Sequence, residues 1–177
     1  YISDYTFAGL LHARMLRSDH PRARILDISV PELPEGYFYI DAKDIPKGGK
    51  NRISMIKDDW RVFAEGEVRY VGETIALIAG PEKEKVLEIL SGITVIYEDL
   101  EPAFTLEEGL ACKGGPIVGN DNLYGEYHLR KGNPEEAFKQ ASRIIKDTYL
   151  TGFQEHLYLE PQGMVGTWEE EKVTLYA

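Results

Sequence analysis

Hydrophobic and polar positions alternate at two different periods along this chain, and the periods divide it into elements. Residues 9–17 mix apolar and basic side chains at roughly period two, which predicts a strand with one buried face. Ser18, Asp19, His20 and Pro21 break it with turn formers. Residues 23–28 read as a second strand or a helix start, and Pro31 and Pro34 forbid its continuation. The aromatic and β-branched run 37–40 predicts a short strand, and Pro46, Gly48 and Gly49 place a loop over 44–51. Residues 68–79 are the best strand candidate, with Gly72 allowing a bulge or tight bend. Beyond Pro81, the apolar residues Val86, Leu87, Leu90 and Ile93 recur every three or four positions, which predicts a helix ended near Gly92. Residues 93–97 return to strand character. This strand–helix–strand unit favours α+β or α/β over all-β.

The pattern weakens between Glu101 and Lys131, where glycine and proline accumulate, and we read this stretch as the crossing between two structural units. A helix then starts at Asn133, with Pro134 in the first turn and Glu136 three residues after the cap. Residues 143–154 look strand-like. The runs 165–168 and 173–176 are expected to pair as a hairpin across Glu169–Lys172.

Composition narrows the class. With 177 residues the chain can bury a core as one domain or slightly more. Its formal charge of -10 argues against a nucleic-acid partner, which calls for clustered Lys and Arg. No apolar run approaches the roughly 20 residues that span a bilayer, and no signal segment opens the chain. The single cysteine, Cys112, excludes an internal disulfide and a multi-cysteine metal site; it fits a reducing compartment, and cytoplasmic localisation is expected. Cys112 sits in a Gly-rich stretch with no nearby base, which argues against a reactive thiol. The first residue is Tyr1 and the chain ends within a strand-like run, so a piece of a larger protein is expected.

Candidate chemistry is sparse. His12, His20, His128 and His156 do not pair with other ligands at metal-site spacing. Glu155 and Glu160 are five apart and would face opposite sides of one strand, against convergence on a single bond. There is no Walker-type loop, G-x-G-x-x-G or G-x-S-x-G. The aromatic residues in strand-like runs read as core or sheet-face groups rather than a stacking platform. Arg14, Arg17, Arg22 and Arg24 form the only basic concentration, read as a solvated strand edge with docking of an acidic partner as the functional alternative. By these residues alone, the chain is a mixed α and β piece with no self-contained catalytic site.

Ordered motifs add a resemblance. Tyr1 to Asp4, Leu11-His12-Ala13 through Arg17-Ser18 to Ala23 and Ile25, and Phe63-Ala64 through Tyr70-Val71-Gly72-Glu73 to Ile78 resemble, in order, segments of the xanthine dehydrogenase/aldehyde oxidase family of molybdenum hydroxylases. So do Val95-Ile96-Tyr97-Glu98-Asp99-Leu100-Glu101-Pro102, Gly132-Asn133 to Ala137-Phe138, and Gln154-Glu155-His156 through Leu159-Glu160-Pro161. Glu73 stands where that family commonly has Gln, and Asn133 replaces its usual Asp.

The resemblance implies an α+β fold: an α/β hammerhead domain over residues 1–105, then the truncated N-terminal part of a molybdopterin-binding domain over 115–177. It implies the large subunit of an oxidoreductase that hydroxylates a heteroaromatic ring or oxidises an aldehyde, with water as the oxygen source. The implied cofactors are molybdopterin with molybdenum in the full-length enzyme, and 2Fe-2S and FAD on partner domains or subunits. The implied partners are those subunits, the remainder of the molybdopterin-binding subunit, and a small-molecule purine, other N-heteroaromatic or aldehyde. Catalytic and cofactor-contacting residues are expected beyond residue 177. No catalytic, cofactor or metal ligand is therefore assigned here; Gln154 to Glu160 is a scaffold candidate, and the chain alone is expected to be inactive. Two other readings remain: a free-standing hammerhead-type binding or interaction module, and a carboxylate-based hydrolase using Glu155 and Glu160.

Overall fold

The computed structural model describes residues 1–53, 60–159 and 162–177. The chain forms two compact units. One comprises Ala8–Glu126; the other joins Tyr1–Phe7 to Tyr127–Ala177.

Among the described residues of the Ala8–Glu126 unit, six strands form two antiparallel three-stranded sheets. These strands are β1 (His12–Arg17), β2 (Ala23–Ser29), β3 (Phe38–Asp41), β4 (Glu67–Val68), β5 (Thr74–Gly80) and β6 (Thr94–Asp99). One sheet has the order β1-β5-β3 and the other β4-β2-β6. Helix α1 (Lys83–Gly92) packs on β1 and β5. Purely antiparallel pairing with a packed helix makes the fold α+β.

β5 organises this unit because it is apolar on both faces. Ile75 and Ala76 join Ala23, Ala64 and Val68 in one buried cluster, bordered by Leu16, Ile25, Tyr39 and Tyr97. Ile78 instead packs with Val86 and Ile89 of α1. A bulge supports this double use: Leu16 pairs with Ala76 and Arg17 with Thr74, so Ile75 has no cross-strand partner on β1. Gly80 ends the strand where a Cβ would collide with the Tyr37 ring.

Two expectations are corrected here. Residues 68–79 are not one strand. The chain leaves the second sheet after Val68, turns at Gly72 (φ 91°), and enters the first sheet at Thr74. The weakly patterned stretch also contains a helix, α2 (Leu106–Leu110), opened by a capping box in which Thr105 and Glu108 satisfy each other's backbone N–H groups.

The other unit holds α3 (Pro134–Gln140) and the hairpin β7 (Val165–Glu169) with β8 (Lys172–Tyr176). Asn133 caps α3 as its sequence predicts, its side chain accepting from the Glu136 N–H. The hairpin forms in the expected register, Trp168 opposite Val173. Tyr5 and Phe7 pack their rings against Tyr176. Residues 143–154, read as strand-like, adopt no strand. Their apolar residues have no neighbouring strand among the described residues to complete a ladder, and pattern alone does not supply one.

Candidate functional site

The buried polar residues among those described in the Ala8–Glu126 unit are Ser18, Arg22, Asn51 and Glu73, and of these Arg22 lies where β2, β4 and the 101–115 stretch meet. Arg22 is only 8 % exposed. Its Nε donates to Glu67 Oε1 at 3.2 Å, and its Nη1 donates to the carbonyls of Gly114 at 2.8 Å and Glu101 at 3.3 Å. A planar guanidinium suits this work, because its donors diverge in fixed directions and stay charged. Gly114 has φ 70°, and a Cβ there would collide with the Glu101 carbonyl, so only glycine lets this backbone approach the clamp.

Glu73 is the second such group, 3 % exposed just before β5. Its Oε2 accepts from the Arg69 N–H at 2.5 Å. Burial pushes its carboxyl above the usual carboxylate range, outweighing that hydrogen bond and the charges of Arg61 and Arg69. Arg61 donates to the Glu67 carbonyl at 3.2 Å, while its buried Nε has no partner among the described residues.

The raised Glu73 carboxyl has a sign that can be tested. The folded chain holds this proton more tightly than the unfolded chain does. Its contribution to stability is therefore full below the ordinary carboxylate value and is lost as pH rises through the raised one. Glu73→Gln keeps an acceptor for the Arg69 N–H and removes the buried charge. The variant is expected to be more stable than the parent at pH 7 and nearly equal to it at pH 4. Thermal melts at the two pH values check this; a variant less stable at pH 7 would contradict it.

The other residues singled out from the sequence are scattered. Of the four arginines, Arg24 pairs with Glu98 and Arg17 donates to the Gly72 carbonyl at 2.7 Å, both on exposed strand surface. Among the described residues Arg14 reaches only the adjacent Ala13 carbonyl, and of the four arginines Arg22 alone is buried. The group is thus not one patch. His20 holds Asp99 Oδ1 at 2.7 Å with its ring 4.2 Å from that of Tyr97, tying the β1–β2 turn to the end of β6. His12 lies on β1, while His128 and His156 lie on exposed, irregular chain. Cys112 follows α2 in a left-handed conformation, φ 53°. Glu155 is exposed and accepts from the His156 N–H; Glu160 and Pro161 lie outside the described residues.

The segment 153–159 turns large apolar side chains outward, Leu159 being 92 % exposed. Among the described residues no three His, Cys, Asp or Glu groups converge as a metal site. These residues do not by themselves form a closed cradle for a pterin or a metal, and no chemical step is derived through one. No helix among the described residues is long and apolar enough to cross a membrane. The Arg22 clamp escaped sequence reading because its partners lie 45, 79 and 92 positions away.

Comparison with known proteins gives these features a context. Residues 1–101 match the model of the aldehyde oxidase and xanthine dehydrogenase a/b hammerhead domain. The chain belongs to that family. Residues 118–177 match the molybdopterin cofactor-binding domain that follows it. The nicotinate dehydrogenase large molybdopterin subunit of Eubacterium barkeri is 36 % identical over 97 % of this chain and 40 % of that protein. A probable xanthine dehydrogenase polypeptide of Bacillus subtilis is 32 % identical over all of this chain and 24 % of that protein. The chain thus spans less than half the length of these relatives. In fold it is similar to the aldehyde oxidoreductase of Desulfovibrio gigas, with a TM-score of 0.62 over 77 % of this chain, 16 % of that chain and 22 % identity. In this chain Arg22 holds Glu101, at the end of the first matched region, to Gly114 in the stretch that leads into the second.

Proposed function

We propose that this chain is the N-terminal part of the molybdopterin-binding large subunit of a molybdenum hydroxylase. The intact enzyme is an oxidoreductase that hydroxylates an N-heteroaromatic ring or oxidises an aldehyde, with water as the oxygen source. Residues 1–105 serve as the hammerhead domain and residues 115–177 as the start of the cofactor-binding domain. The reading is carried by the two family matches, which follow each other in order along one chain. The relatives' names support it, since nicotinate and xanthine are both N-heteroaromatic.

In this reading the chain is architectural. Molybdenum held by the pterin supplies the redox chemistry, with 2Fe-2S and FAD carried by partner domains or subunits. The scaffold candidate, Gln154 to Glu160, forms part of the wall around the cofactor once the remainder of the subunit is in place. The acidic charge of the chain supports the absence of a nucleic-acid partner, and a cytoplasmic site of action fits the single cysteine.

Metal analysis tests the proposal. The full-length large subunit, purified with its partners, should carry stoichiometric molybdenum and pass electrons from an N-heteroaromatic compound or an aldehyde to a dye. The 177-residue chain should do neither. A full-length protein without molybdenum, or a short chain that oxidises such substrates unaided, would overturn it.

A further inference from the structure

A cavity of about 220 Å³ opens beside the Arg22 clamp, lined by Arg22, Arg69, Tyr70, Val71, Phe104 and Ile117 among others. Its chemistry is two-sided. On one side stand two guanidiniums in a chain whose net charge is -10. Arg22 is nine-tenths buried, yet its Nη2 donates no hydrogen bond among the described residues, because Nε and Nη1 make all the clamp contacts. Among the described residues Arg69 makes one hydrogen bond, from its backbone N–H to Glu73, while its guanidinium acts on that carboxylate only through its charge. On the other side the wall is apolar and open, with Phe104 74 %, Val71 62 % and Tyr70 45 % exposed.

Donors left over on a buried arginine select a planar anion, and a carboxylate is the group that a guanidinium receives with two parallel hydrogen bonds. Exposed aromatic residues around such a pair suit an apolar group attached to that carboxylate. The volume falls below the roughly 300–1,000 Å³ of sites that enclose a whole small molecule. It matches one or two side chains, the size of an anchor in a protein interface. We propose that this cavity is a docking site for a partner polypeptide, which inserts a carboxylate flanked by an aromatic or aliphatic side chain. The carboxylate lies between Arg22 Nη2 and the Arg69 guanidinium, and its apolar neighbour rests on Tyr70, Val71 and Phe104.

Titration of the chain, followed by amide chemical shifts, tests this with two probes: the blocked peptide acetyl-Leu-Asp-Phe-amide and free benzoate. The peptide should shift the resonances of residues 69–71 and 104, and the same peptide with Asn in place of Asp should not. Arg69→Gln should weaken peptide binding by about tenfold or more. Phe104→Ser, at an exposed position, should weaken it as well and guards against a folding defect in the arginine variant. Shifts from benzoate alone would overturn the polypeptide occupant. Binding that ignores the Asp→Asn change or both chain variants would overturn the site.

Discussion

Arg22→Met is expected to destabilise the Ala8–Glu126 unit by about 3 kcal/mol. The replacement keeps the aliphatic stem and removes the charge. Glu67 then loses its cationic partner, and the carbonyls of Glu101 and Gly114 lose a buried donor. These acceptors are part-buried, so each loses about 1 kcal/mol with its donor, and the three losses add up. Arg24→Met is the natural control. Its pair with Glu98 is half exposed, so its loss should cost at most about 1 kcal/mol. Gly114→Ala attacks the same clamp from the backbone side, since the new Cβ would meet both the Glu101 carbonyl and Arg22 Nη1. The two changes should therefore be less than additive when combined. Urea unfolding followed by circular dichroism measures the parent, the three single variants and the double variant. If Arg22→Met and Arg24→Met cost the same, the clamp does not hold this unit together.

The difference between these two arginines shows where sequence reading succeeds and where it stops. Both sit in one basic run, and nothing local separates them. What buries Arg22 is a set of backbone carbonyls supplied by a stretch almost a hundred positions away. The elements that were legible are those whose signals are local. Val86 and Leu90 mark the face of α1, Asn133 and Pro134 mark the start of α3, and the runs flanking Glu169–Lys172 mark the hairpin. The break between β4 and β5 was hidden because its apolar content continues through the turn, and because Glu73 looks like a solvent residue while being buried. α2 was hidden because five residues are too few to show a period, although Thr105 and Glu108 spell a capping box. The candidate site follows the same rule. The histidine and carboxylate spacings were readable one by one. The cavity beside Arg22 is assembled from stretches far apart in the chain, and of its lining only Arg22, in the basic run, carried a local signal.

In the isolated chain, backbone amides of residues 141–159 are expected to exchange within about tenfold of unstructured rates, while those of β5 report global unfolding. The same amides should become strongly protected in the full-length subunit. The reason is burial. Among the described residues from Tyr127 onward no side chain is buried, and Leu129 and Leu150 are 98 % and 93 % exposed. Fixing a residue costs about 1–2 kcal/mol of backbone entropy, and covering a large apolar side chain returns about 1.5–3 kcal/mol. With no such cover, the first term stands alone and the segment has little to hold one conformation. Packing against further chain reverses the balance, because Tyr149, Leu150, Phe153, Leu157 and Leu159 all become available for burial together. Trypsin offers an independent readout at Arg143 and Lys146, which should be cut well before Arg22 or Lys85 in the short chain and spared in the long one. Equal protection of 141–159 in both would mean that these apolar residues are covered by something within the 177 residues, and the cofactor-wall reading would lose its structural basis.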